Sequence, residues 1–164
     1  MPRKPPGYDQ QEGAMQLILV RHGHAVSEEA DPLRPLSEAG REEVRKTAAL
    51  LQAQGFSAGV IYHSQKERAR ETACVLKDIF CPQARLVEKE GLAPNDRTEP
   101  LAGMINQETE NICVVGHLPF VSCLVSRLVT GCDNKTLVHF RTGTAAVLEK
   151  SAAGRWDIHS VVQP

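Results

Sequence analysis

The stretch that restricts this chain most is Leu17-Ile18-Leu19-Val20-Arg21-His22-Gly23-His24-Ala25. Four consecutive apolar residues read as a strand buried on both faces, the habit of a parallel sheet held between helices. The strand passes without a break into Arg21-His22-Gly23. Open α/β sheets bind ligands at the carboxyl ends of their strands. An arginine and a histidine at such an end make an anion site with a candidate nucleophile, and a glycine beside them lets backbone approach closely. Three residues alone are weak evidence; the other walls of a pocket must come from elsewhere in the chain.

The 164 residues suffice for one domain with a real core. A formal charge of −1 gives no electrostatic case for nucleic acid or a membrane surface as partner. Cys74, Cys81, Cys113, Cys123 and Cys132 contain no C-x-x-C pair and read as reduced packing residues. No run approaches the ~18 apolar residues of a membrane span. The start, Met1-Pro2-Arg3-Lys4-Pro5-Pro6-Gly7, lacks the apolar centre of a signal peptide, so a cytoplasmic location is expected. Residues 1–14, polar and proline-rich, are expected to form a flexible tail, and residues 15–164 a single domain.

Along the chain, Ser37 is placed to cap a helix that carries Val44, Ala48 and Leu51 at helical spacing and ends at Gly55. A strand over 59–63 follows, and Ser64 then reads as the cap of a helix to about Phe80. Arg68, Thr72, Val75 and Ile79 share one stripe of that helix. Arg68, at the head of the stripe, should face the carboxyl edge of the sheet. Burial without a partner is expensive, so a carboxylate or a bound anion is expected beside it.

A short strand over 85–87, a loop from Glu88 to Asp96 and a helix over 99–107 come next. The apolar strand 111–115 ends in Gly116-His117, and Pro119 opens an apolar helix to about Thr130. A second strand therefore delivers a histidine to a helix N-terminus, where anions are favoured. Segments 136–140, 144–149 and 156–162 read as further strands.

Three strand ends thus offer Arg21 and His22, then Arg68, then His117. Two guanidinium forks and two imidazoles suit a phosphoryl group, whose charge is spread over several oxygens. On these residues the chain resembles the histidine phosphatase superfamily, in particular the short SixA-type phosphohistidine phosphatases. Six motifs carry the resemblance in order: Leu19-Val20-Arg21-His22-Gly23, Arg34-Pro35-Leu36-Ser37-Glu38-Ala39-Gly40, Ser64-Gln65-Lys66-Glu67-Arg68-Ala69-Arg70-Glu71-Thr72, Leu92-Ala93-Pro94, Gly116-His117-Leu118-Pro119 and Phe140-Arg141-Thr142-Gly143.

The resemblance implies a phosphoglycerate mutase-like fold: α/β, in three α/β/α layers with a mainly parallel central sheet. It implies that His22 is the nucleophile and is transiently phosphorylated, with Arg21, Arg68 and His117 holding phosphoryl oxygens. Neighbouring positive charge would keep His22 neutral, and a hydrogen bond from its other nitrogen to a backbone carbonyl would set its tautomer. No metal or cofactor is required. Relatives often place an acid directly before the leucine of the Leu-x-Pro loop. Here that position is Gly91, with Glu90 one residue earlier as the candidate general acid. Gly23, His24 and Arg34 complete the candidate substrate-binding set.

Blander readings accompany these. His22 could be structural, or His22, His24 and His117 could bind zinc, though two arginines in one pocket would repel a cation. Arg34 lines the mouth or pairs on the surface; Glu90 and Asp96 catalyse or are solvated loop carboxylates. The expected activity is hydrolysis of phosphohistidine on a carrier or phosphotransfer protein. The alternatives are a phosphatase of small phosphomonoesters and a non-catalytic phosphoprotein-binding module. Eighteen residues separate Leu92 from Asn111, too few for a lid once a helix uses half of them, so an open pocket is expected.

Overall fold

The computed structural model describes residues 14–164. The tail expected over 1–14 falls, except for its last residue, outside them. The chain alternates strand and helix: β1 (Gln16–Arg21), α1 (Glu38–Ala53), β2 (Val60–His63), α2 (Glu67–Phe80), β3 (Arg85–Glu88), α3 (Glu99–Gln107), β4 (Ile112–Gly116) and α4 (Phe120–Thr130). The hairpin β5 (Ala145–Lys150) and β6 (Trp156–Val162) closes it. Among the described residues the strands form one sheet in the order β3-β2-β4-β1-β5-β6. The pairs β1–β4, β2–β4 and β2–β3 are parallel, while β5 runs antiparallel to both β1 and β6. The sheet is mainly parallel, as the unbroken apolar strands imply.

Strand alternation divides the core into two layers. Ile18, Val20, Ile61, Cys113 and Val115 face α1 and α2, packing on Val44, Leu51, Ala73 and Leu76. Leu17, Leu19, Val60, Ile112 and Val114 face the other way, onto Leu101, Ile105, Phe120 and Leu124 of α3 and α4. Each fully buried aliphatic side chain contributes roughly 1.5–3 kcal/mol relative to exposure, so both layers hold the central strands. Among the described residues no helix is long and apolar enough to cross a membrane.

α1 forms as its sequence dictates. The Ser37 hydroxyl accepts from Gly40 N at 3.0 Å, Glu38 lies in the first turn, and Gly55 leaves the helix at φ +79°. Three local expectations fail. Ser64 does not cap α2, which starts at Glu67 behind Lys66 with no side-chain cap bond; the hydroxyl is engaged by His117 instead. The core face of α2 is Ala69, Thr72, Ala73, Leu76 and Phe80, whereas Val75 and Ile79 are only partly buried. Of the stripe headed by Arg68, Thr72 is fully buried in that face while Val75 and Ile79 pack at its edge.

Segment 136–140 is not a strand. Its period-two pattern is real, since Val138 and Phe140 are buried while Leu137 and His139 are exposed. But β4 and β5 occupy both edges of β1, leaving no central backbone to pair with. The segment, bent at Val138, covers the α3–α4 side of the core as irregular chain.

Candidate active site

β1 and β4 are adjacent and in register, Arg21 opposite Gly116. α1 follows β1 onto one face and α4 follows β4 onto the other, as their separate core layers show. The strand ends therefore part at a topological switch point, where a crevice forms in α/β sheets. His22 N donates to Gly116 O at 3.1 Å. The ring centroids of His22 and His117 lie 5.0 Å apart at 55°. The turn before β5 closes the floor: Gly143 N donates to the carbonyls of Arg21 and His22, and Arg21 N donates to Thr144 O.

His22 is 8% exposed, and its Nδ1 lies 2.7 Å from Gly23 O. A carbonyl only accepts, so Nδ1 carries the proton and Nε2 keeps its lone pair. Burial, more than charge, pulls the ring down to about 4; the Gly23 carbonyl opposes this, and Arg68, Arg21 and Arg34 reinforce it. The ring is neutral at pH 7. His117, 2% exposed, is pulled down to about 3, first by burial, then by His22, Arg68, Lys66 and Arg21. Its Nε2 lies 2.6 Å from Ser64 Oγ.

Burial also lowers the guanidinium of Arg21, opposed by Glu43, and that of Arg68, reinforced by Arg34. Arg21 Nη1 donates to Phe140 O at 2.9 Å. Arg34 Nε donates to Val26 O at 3.2 Å. Among the described residues no carboxylate forms an ion pair with Arg21, Arg34 or Arg68. Arg21 Nε, Arg68 Nε and His117 Nδ1 are buried without a hydrogen-bond partner among the described residues. Buried donors are almost always satisfied, and three orphans about two imidazoles and unpaired guanidiniums fit a tetrahedral oxyanion. Of the two partners expected for Arg68, the carboxylate is not found among the described residues.

Thr72 fixes Arg68 relative to the nucleophile. Its hydroxyl donates to Arg68 O at 2.7 Å and accepts from Gly23 N at 3.1 Å, joining the first turn of α2 to the residue after His22. Arg34 adopts φ +48°, the single non-glycine positive φ among the described residues, a conformation costing on the order of 1–3 kcal/mol. It is kept in a loop pinned by Arg34 N to Asp31 O and Val26 N to Pro35 O, each 2.9 Å.

The structure brings Arg21, His22, Arg34, Arg68 and His117 together electrostatically. It places the other candidates differently. A Cβ on Gly23 would stand 2.7 Å from Gly40 O, so the close approach this glycine permits is to α1. His24 is exposed, its Nδ1 2.7 Å from Ser37 Oγ, and it does not join His22 and His117 in a triad. Glu90 sits exposed on a loop, beside Lys89, Gly91 and Asp96, lining a cleft that reaches Ser64 and Lys66. Sequence reasoning overlooked Glu43 and the true use of Ser64. Glu43 falls between Gly40 and Thr47 on the buried side of α1, a spacing that could have flagged it. Nothing in the sequence flags Ser64, because a serine between strand and helix reads as a cap.

Residues 17–94 match the family model of the histidine phosphatase superfamily (branch 1). By sequence, none of the curated proteins matches the chain. Several solved structures share its fold. The protein histidine phosphatase SixA complexed with tungstate superposes with a TM-score of 0.81 at 24% identity, covering 92% of this chain and 97% of that one. SixA from Agrobacterium tumefaciens gives 0.76 at 23% identity, with 92% and 98% covered. The alpha-ribazole phosphatase from Shigella flexneri gives 0.73 at 18% identity, with 92% and 96% covered.

Proposed function

We propose that this chain, whose residues 17–94 match the histidine phosphatase superfamily model, is a member of that superfamily and hydrolyses phosphohistidine on a partner protein through a phosphorylated His22. The observation that carries the mechanism is the His22 Nδ1 bond to Gly23 O, which leaves Nε2 as a neutral nucleophile among three guanidiniums. Nε2 attacks phosphorus, and the bond from phosphorus to the leaving nitrogen breaks. The departing imidazole keeps that electron pair and takes up a proton. Water then attacks the phosphorus of phospho-His22, the Nε2–P bond returns its pair to Nε2, and inorganic phosphate leaves. Arg21, Arg68 and His117 donate to the phosphoryl oxygens throughout. Being held in place beforehand, they stabilise the transition state without reorganising.

Two features favour a protein substrate. The leaving group of phosphohistidine departs from a labile P–N bond and makes small demand on a general acid, and the candidate acid Glu90 is exposed. Two exposed leucines also adjoin site residues in the chain: Leu33, 71% exposed, precedes Arg34, and Leu118, 37% exposed, follows His117. Exposed apolar side chains beside the site suit contact with the surface of a folded partner better than with a sugar phosphate.

Hydrolysis of small phosphomonoesters is the second reading, favoured by the shared fold of an alpha-ribazole phosphatase. A panel comparing histidine-phosphorylated carrier and phosphotransfer proteins with small phosphate esters separates the two. The proposal expects kcat/KM at least about 100-fold higher on a phosphohistidine protein, equivalent to about 2.7 kcal/mol. Equal or better efficiency on a small ester reverses the order.

A further inference from the structure

Ser64 stands where β2 gives way to α2, 3% exposed. Its backbone is held on both sides: Ser64 N donates to Val115 O at 3.4 Å, and His63 Nδ1 lies 2.9 Å from Ser64 O. The hydroxyl oxygen has two neighbours, Lys66 N at 3.3 Å and His117 Nε2 at 2.6 Å. The Lys66 N–H can only donate, so it takes a lone pair of Oγ. A second lone pair remains, but among the described residues the buried hydroxyl has no acceptor besides His117 Nε2, so an Nε2–H would leave the hydroxyl proton unsatisfied. The arrangement that satisfies every donor directs that proton to Nε2.

A neutral imidazole carries a single N–H. With Nε2 accepting, that proton lies on Nδ1, the atom of His117 that is buried without a protein partner among the described residues. We propose that Ser64 is a positioning residue that selects the Nδ1–H tautomer of His117, so that a donor and not a bare lone pair meets the phosphoryl oxygens. The distinction matters because a phosphoryl dianion offers acceptors only. The opposite tautomer would set nitrogen and oxygen lone pairs against each other. The short Ser64–His117 contact and the backbone tie from Ser64 N to β4 set this choice before substrate arrives, which is preorganisation acting through a neighbour.

The inference rests on reading His117 as a phosphoryl ligand, but the tautomer itself is measurable without turnover. In full-length protein with 15N-labelled histidine, proton–nitrogen NMR should show His117 protonated on Nδ1 and bare on Nε2, alone and with vanadate, with His117→Ala assigning the signal. An Nε2–H tautomer in the wild-type protein overturns the proposal whatever the substrate is. Ser64→Ala should lose the fixed tautomer and lower kcat roughly 10- to 100-fold, less than the 10²–10³ for deleting a donor outright, with a smaller change in KM. Ser64→Thr, which keeps a hydroxyl, should restore the tautomer and most of the rate. Wild-type tautomer and rate in Ser64→Ala, or wild-type tautomer with the alanine variant's rate in Ser64→Thr, contradicts it. Failure of the wild-type protein on every phosphorylated substrate would sink the phosphatase reading and leave the tautomer result standing.

Discussion

His22 owes its character to its burial, its tautomer and its cations together. Positive charge was the sequence-level reason to expect a neutral ring, but burial is the larger cause and the arginines add to it. The consequence is testable by pH. Below its ordinary 6.5 the unfolded chain takes up a proton on His22, while the native ring stays neutral until about 4. Unfolded protein therefore binds more protons across that window, and stability falls as pH drops from about 6.5 to about 4, by at most roughly 1.4 kcal/mol per pH unit for this group. An NMR titration of the histidines should place the His22 midpoint near 4, and a midpoint near 6.5 would contradict its burial in the crevice. His22, Arg21 and His117 were legible because each sits at the end of an apolar strand. Ser64 was not, because its hydroxyl is used by a residue 53 positions away, and no local pattern records that.

The element that does most to seat the nucleophile is α1, whose first turn lies directly against the residues after β1. A Cβ on Gly40 would fall 2.0 Å from His24 O, a backbone atom that cannot swing aside. Gly40→Ala should therefore destabilise the protein by about 1–3 kcal/mol, the usual range for overpacking, and displace the backbone that carries His22. The check is a lower urea midpoint at unchanged slope, accompanied by reduced kcat. Unaltered stability would mean that α1 is free to shift and does not hold the site. This helix was legible from Ser37, its apolar spacing and Gly55. Segment 136–140 misled for the opposite reason: alternating burial also arises where irregular chain covers a core without pairing, as at Val138 and Phe140.

Considered whole, the molecule is a sheet whose strand order reverses at β1 and β4, with the charged residues gathered where it does. The fold class was readable because runs such as 17–20 and 112–115 need cover on both faces. The pocket's composition was readable because chemistry-bearing residues follow strands. What waited for the structure was selection among near neighbours in sequence: Arg34 joins the cluster, His24 turns to Ser37, and Glu43 acts on Arg21 from α1. The orphaned donors of Arg21, Arg68 and His117 predict a single anion position. Vanadate or sulfate should compete with substrate and, in a soaked crystal, touch all three side chains; an anion bound elsewhere with these three untouched would refute the pocket. Arg68→Ala should weaken vanadate binding about tenfold or more, as expected for a lost charge-assisted bond, read by competitive inhibition.

The central claim is that the phosphoryl group passes through Nε2 of His22. Phosphohistidine survives alkaline quenching, so protein stopped in base during steady turnover can be digested and its phosphorylated peptide located by mass spectrometry. Phosphate is expected on His22 at Nε2, appearing within one turnover, decaying when substrate is exhausted, and absent from a folded His22→Ala variant that no longer turns over. Phosphate on His117 instead, or near wild-type turnover by His22→Ala, would contradict it.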